Sequence, residues 1–178
     1  MISLYDISIP VITNVLNTLS SILHKGGQYA KEHNISDTDL LGSRIYEDMF
    51  PLSTQTIIIA QVAKKTIERL SDVTLDTIPK LDHEVKSLED LYNMIDGTLQ
   101  ELGAVDRASI EGKDNEDIVF NIGPHMMKKT TRTAYVLGYA TPYVFFHLDI
   151  TYAILRNQGV PLRKLHYVTE FIKDMPDA

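Results

Sequence analysis

The 178-residue chain contains no cysteine, which removes disulfides, thiolate nucleophiles and sulfur-ligated metals at once. A cytoplasmic setting is the plain expectation from that absence. Tryptophan is missing too, and its absence excludes nothing. Lysine and arginine number 17 against 24 acidic residues, for a formal net charge of -7, and no basic run exceeds a pair such as Lys128-Lys129. Nucleic acid is therefore not an expected partner, because phosphate binding needs a concentrated basic surface. No uninterrupted apolar stretch approaches the roughly 18 residues that cross a bilayer. The opening MISLYDISIPVITNVL places Asp6 inside its apolar run and has no basic leader, which argues against a signal peptide. Neither an internal repeat nor a low-complexity segment is present, and no membrane partner is expected.

What remains is ordinary globular usage, 44% apolar and 23% charged. The length suits one domain over 1–178 with a single core. Leu4, Ile7, Val11, Val15, Leu19, Ile22 and Leu23 form a helical stripe from Ser3 to about Asn34. Pro10 either starts that helix near Ile9 or kinks it, and Gly26-Gly27 weaken it, so Tyr29 to His33 reads as a last turn or a separate short one. His24 and His33 sit on polar, lysine-flanked surfaces and read as solvated. Ser36, Asp37 or Asp39 can cap a short helix through Leu40, Leu41 and Ile45. Pro51 suits the first turn of the next helix, which runs to about Leu70 with Leu52, Thr56, Ile59, Ala60, Ala63, Ile67 and Leu70 as its stripe. Ser71 to Asp82 has no helical period and reads as an irregular connection. Ser87 to Asp90 resembles a capping box ahead of a helix with Leu88, Leu91, Ile95, Leu99 and Leu102 on one face and an end at Gly103.

Between Ala104 and Tyr135 the period changes. Ile110, Ile118–Ile122 and Thr130–Tyr135 read as strand-like pieces separated by Gly112, Asp114-Asn115 and Gly123-Pro124, hence a small β-hairpin. His125 falls in the turn and reads as exposed. A last long helix begins between Tyr135 and Pro142. Within it Val144, His147, Leu148, Thr151, Ile154, Leu155 and Gln158 share one inward face. Gly159 in the left-handed region and Pro161 end it, with Arg156 in its last turn. Leu162 to Ile172 is a short amphipathic segment, and Lys173 to Ala178 is expected to fray. The fold class is therefore all-α, a four-helix bundle with a small β-hairpin inserted before the last long helix.

Two stretches carry a resemblance. Asp48-Met49-Phe50-Pro51-Leu52 with Gln55, and Phe146 to Arg156 followed by Gly159-Val160-Pro161, are similar to the signature stretches of domain-of-unknown-function family nineteen ninety-three. The opening Ser3-Leu4-Tyr5-Asp6 with Leu19 and Leu23 is similar as well. The resemblance implies a DinB-like, up-down-down-up bundle and no settled activity. Many DinB-like proteins hold a divalent metal with one histidine from the second helix and an HxxxH pair on the fourth; others are thiol-dependent transferases and isomerases. Here His147 matches the first of the pair, Thr151 stands at the second, and no histidine occurs between Asp48 and Leu70. One imidazole, one hydroxyl and the Asp48 carboxylate make a poor set for zinc or nickel, so no metal or other cofactor is expected.

The chemistry then centres on His147, whose ordinary pKa suits a general acid or base. Gln55, or Gln61, supplies a hydrogen-bond donor, with Tyr152 or Tyr143 as a further one. Thr151 and Arg156 complete the candidate set. Arg156 and Asp149 lie on one face and form either a structural ion pair or a carboxylate-binding group. Two classes of function stay open. In the first, an apolar pocket around His147 binds a small apolar metabolite, as in a cofactor-independent isomerase or cyclase of a biosynthetic pathway. In the second, His147, Thr151 and Gln55 satisfy one another and the protein is a non-catalytic homodimeric module. A divalent-metal-dependent DinB-like enzyme is a third alternative.

Overall fold

The computed structural model describes residues 2–123 and 125–176. Met1, Pro124, Asp177 and Ala178 lie outside the described residues, and with them the proline expected before His125 and the end of the tail. Helix α1 (Ile9–Glu32) starts with Pro10 in its first turn, where the missing amide is not needed, so the proline marks a start and no kink. The glycine pair does not break it. A Cβ on Gly26 would come within 2.7 Å of Leu155, and one on Gly27 within 2.7 Å of the Tyr92 hydroxyl. Each glycine costs about 1 kcal/mol of helix propensity relative to alanine, and here that cost is offset by close approach of α1 to two neighbours.

Ser36 caps α2 (Asp37–Gly42) by accepting from the Asp39 amide. Pro51 occupies the N-cap of α3 (Leu52–Ser71), one position ahead of the first-turn place expected for it, and every residue of the expected stripe is buried. The capping box at α4 (Leu88–Gly103) is formed by Ser87 and Asp90 in both directions. Strands β1 (Asp117–Ile122) and β2 (Met126–Thr131) pair antiparallel. The strand-like reading of Thr130 to Tyr135 is corrected beyond Thr131. The Thr131 hydroxyl accepts from the Ala134 amide and caps helix α5 (Arg132–Tyr135). That helix runs without interruption through a π turn (Val136–Ala140) into α6 (Thr141–Asn157), so the last long helix starts earlier than the sequence suggested. Pro142 cannot donate to the carbonyl one α-turn back, and its place just after the π turn lets the helix continue. Helix α7 (Lys164–Ile172) lies against α1.

Contacts fix the directions. Tyr92 near the start of α4 bonds Leu23 late in α1, so these two run antiparallel. Leu155 late in α6 meets Gly26 late in α1, so these two run parallel. Gln55 at the start of α3 meets His147 while Thr66 near its end meets Tyr135, so α3 opposes the last helix. The result is up-down-down-up. Since α3 and α4 are parallel neighbours, the chain must travel back the length of the bundle between them, which is why residues 72–87 are long and irregular. Three α3 side chains tether this return. Glu68 accepts from Leu75 N at 3.0 Å, Lys64 donates to Thr77 O at 3.0 Å, and Gln61 donates to Pro79 O at 2.8 Å.

Gly159 ends the last helix with φ +92°, and a Cβ there would stand 2.6 Å from the Tyr29 hydroxyl. Gly159→Ala is expected to cost about 1–3 kcal/mol, read as a lower urea midpoint at unchanged slope.

Candidate functional site

Gln55 comes from the first turn of α3 and is 2% exposed; His147 comes from mid-α6 and is 5% exposed. The Gln55 amide donates to Phe50 O at 2.9 Å, which turns its oxygen toward His147. His147 Nδ1 lies 2.5 Å from that oxygen. An amide oxygen only accepts, so Nδ1 carries the proton and Nε2 the lone pair. Among the described residues no protein group bonds Nε2. Burial of the ring disfavours its charged form and pushes its pKa down to about 4. The ring is thus a neutral, oriented acceptor at physiological pH. It is a weaker base than the sequence alone suggests.

An aromatic file runs along the same helix. Tyr135, Tyr139, Tyr143 and His147 follow one another with ring centroids 5.8, 4.9 and 4.8 Å apart. In a regular α-helix a spacing of four overshoots a full turn by about 40° each time, and three steps would carry the last ring far round the cylinder. The slower-winding π turn takes back part of that drift and keeps the four rings in line. Phe146 meets His147 edge-on at 5.2 Å and is 55% exposed. At the far end the Tyr135 hydroxyl accepts from Arg69 Nη1 at 2.8 Å and lies 3.1 Å from Thr66 Oγ1. The Arg69 guanidinium stacks over Tyr135 and Phe120.

Of the residues expected at the site, His147, Gln55 and Tyr143 come together. Thr151 is buried on the same face, but its hydroxyl is spent on His147 O at 2.8 Å. Tyr152 packs edge-on against Tyr167 on the α7 side. Arg156 is exposed and donates to Val160 O at 2.8 Å, closing the helix end. Tyr152 and Arg156 therefore lie apart from the His147–Gln55 pair. Asp149 accepts from Tyr167 at 2.5 Å, so the expected ion pair with Arg156 does not form. Asp48 is exposed, and Gln61 serves the return segment. His24, His33 and His125 are exposed; His24 and His33 stack on Tyr92 and Tyr29.

The metal set that the resemblance raises does not fit. Among the described residues one histidine faces the seam, the second-helix donor is an amide already bonded to it, and the hydroxyl at 151 is turned to the backbone. Among the described residues no group of three His, Cys, Asp or Glu gathers to hold a cation.

The sequence reading passed over Lys64, which is 7% exposed and bonded to Glu101 at 2.8 Å. Its signal was available, because 64 lies four residues after Ala60 and three before Ile67, on the buried stripe. A cavity of about 880 Å3 opens beside it, under the return segment. A smaller one of about 220 Å3 lies between Tyr29 and His166. Neither includes His147.

The comparisons agree with this architecture. A crystal structure described as a DinB family member protein from Shewanella denitrificans superposes with a TM-score of 0.81 at 28% identity, covering 93% of this chain and 91% of that one. No curated protein matches the chain. Among the described residues no helix is long and apolar enough to cross a membrane. The model of the family described as Domain of unknown function (DUF1993) matches residues 4–168, and the chain, a DinB-like helical bundle with one small hairpin, belongs to that family.

Proposed function

We propose that the protein binds a small, largely apolar molecule at the α3–α6 seam, with a hydroxyl or enol of the ligand donating to His147 Nε2. The observation that carries this reading is the Gln55 bond, which fixes the tautomer and leaves the Nε2 lone pair of a 5%-exposed histidine without a protein donor among the described residues. A polar atom in that state has affinity for whatever can donate to it. Tyr143 and Phe146 flank the imidazole with aromatic surface.

A neutral imidazole with a pKa of about 4 accepts a proton only from a strongly acidic species. The site therefore suits a binding-controlled rearrangement, in which the seam holds the ligand's shape and His147 Nε2 keeps a hydrogen bond from the ligand hydroxyl or enol without taking the proton. An isomerase or cyclase of this kind needs shape and one acceptor, with no cofactor. The second reading, a non-catalytic homodimer, draws on a different observation: Ile45, Tyr46, Phe50 and Phe146 expose large apolar side chains.

Thermal shift against a metabolite panel separates the two. A true ligand at a hundredfold excess over its Kd stabilises the native chain by about 2.7 kcal/mol, and His147→Ala removes that stabilisation. A panel without effect, together with a dimer in sedimentation that Phe146→Ser dissociates, would instead establish the module.

A further inference from the structure

The second chemical feature of the molecule lies on the opposite flank of α3. Nine residues separate Gln55 from Lys64, which at 100° per residue puts them about 180° apart. Lys64 is almost fully buried, yet it lines the largest cavity described above. Its ammonium donates to Thr77 O at 3.0 Å and to Glu101 Oε1 at 2.8 Å. An ammonium has three donors, so one N–H remains without a partner among the described residues. Ile78, Pro79 and Met94 provide apolar wall.

Gly97 lines the same cavity. It sits in the middle of α4, where glycine weakens a helix, and a Cβ on it would meet nothing within 4 Å. Gly26 and Gly27 earn their places by close packing; Gly97 has no packing neighbour to accommodate and borders open cavity instead. The bare backbone at 97 widens the space beside Met94 and Asn93.

Charge selects the class of ligand. Lys64, Lys80 and Lys86 share the lining with Asp82, Glu84 and Asp90, and Glu101 pairs with Lys64. The carboxylates outnumber the ammoniums, so an anion gains nothing from entering. We propose that this cavity is a binding site for a neutral, carbonyl-bearing organic molecule, an amide or ester, whose oxygen accepts from the free N–H of Lys64 and whose apolar body lies along Ile78, Pro79 and Met94. The site is separate from the one beside His147 and does not depend on it.

Protein-observed NMR titration with hexanamide, hexanoate and hexylamine tests the assignment on the full chain. Hexanamide is expected to shift the amides of Asn93, Met94 and Gly97 saturably, and hexanoate to bind about tenfold more weakly. Gly97→Leu fills the cavity while improving helix propensity, so it folds and loses hexanamide binding. Lys64→Met with Glu101→Leu removes both partners of the ion pair together, leaving no orphaned charge, and weakens hexanamide about tenfold. Unchanged binding in Gly97→Leu, equal or tighter binding of hexanoate or hexylamine, or hexanamide shifts confined to residues outside this cavity would each overturn the proposal.

Discussion

Arg132→Met is expected to destabilise the fold by about 3 kcal/mol, the largest effect of any single change away from the apolar core. The side chain is 5% exposed and joins four groups from two segments. Nη1 donates to the last-turn carbonyls of α3, Arg69 O at 2.8 Å and Leu70 O at 2.5 Å, while Nη2 pairs with Asp72 and Glu116 at 2.8 Å each. Terminal carbonyls have no partner within their own helix, and a cation there also opposes the negative end of its dipole. Methionine matches the volume but strands both carbonyls, each at a cost of about 1–3 kcal/mol. The two carboxylates are more than half exposed and return to water cheaply. Urea denaturation reads the loss as a lower midpoint at unchanged slope. Arg132→Lys should recover little, since a single ammonium cannot reproduce the planar fork. A loss below about 1 kcal/mol would show that water replaces the guanidinium without penalty.

The second large effect is a loss of stability in mild acid. His147 titrates at about 4 in the folded chain and near 6.5 when exposed. The unfolded chain therefore binds the proton first as pH falls, and stability drops from about pH 6.5 until the folded ring also titrates. Over that window the loss is roughly 3 kcal/mol. Above it the contribution is fully retained. His166 is shifted in the same direction, by its burial and then by Lys25 and Arg163, but it lies closer to the surface. The Asp6, Asp72 and Asp90 carboxylates are held below the ordinary range by hydrogen bonds, chiefly from backbone amides at Asp6 and Asp90 and from Lys113 and Arg132 at Asp72. Their losses begin only at lower pH. His147→Gln, which keeps a polar group opposite Gln55 but cannot titrate, should flatten the pH profile between 6.5 and 4; an unchanged slope would place the acid sensitivity elsewhere.

Much of the bundle was legible because its helices are amphipathic and carry explicit caps. The α3 stripe, the Ser87 cap and the left-handed Gly159 follow from local chemistry and stand in the structure as read, while at Pro10 and Ser36 the structure selects one of the alternatives that the sequence left open. The pairing of His147 with Gln55 was legible too, since each was a polar residue on an inward face. Other features depend on partners far away in the chain. Thr130 to Thr133 looks like a strand by composition, and only the cap at Thr131 with the anchor at Arg132 turns it helical. Tyr152 and Arg156 share a helix with His147, but their neighbours are Tyr167 and Val160, set by the path of the chain beyond Pro161. The Lys64 cavity follows from the parallel course of α3 and α4. No local pattern announces that course.

The π turn gives the last helix a vernier. Its upstream end is indexed to the carbonyls of α3 through Arg132, and its downstream end to the start of α3 through His147. Between these two fixings α3 counts in ordinary turns while its neighbour mixes two pitches, and the mismatch allows both ends to register at once. A purely regular rod of the same length would align one fixing only by rotating the other out of phase.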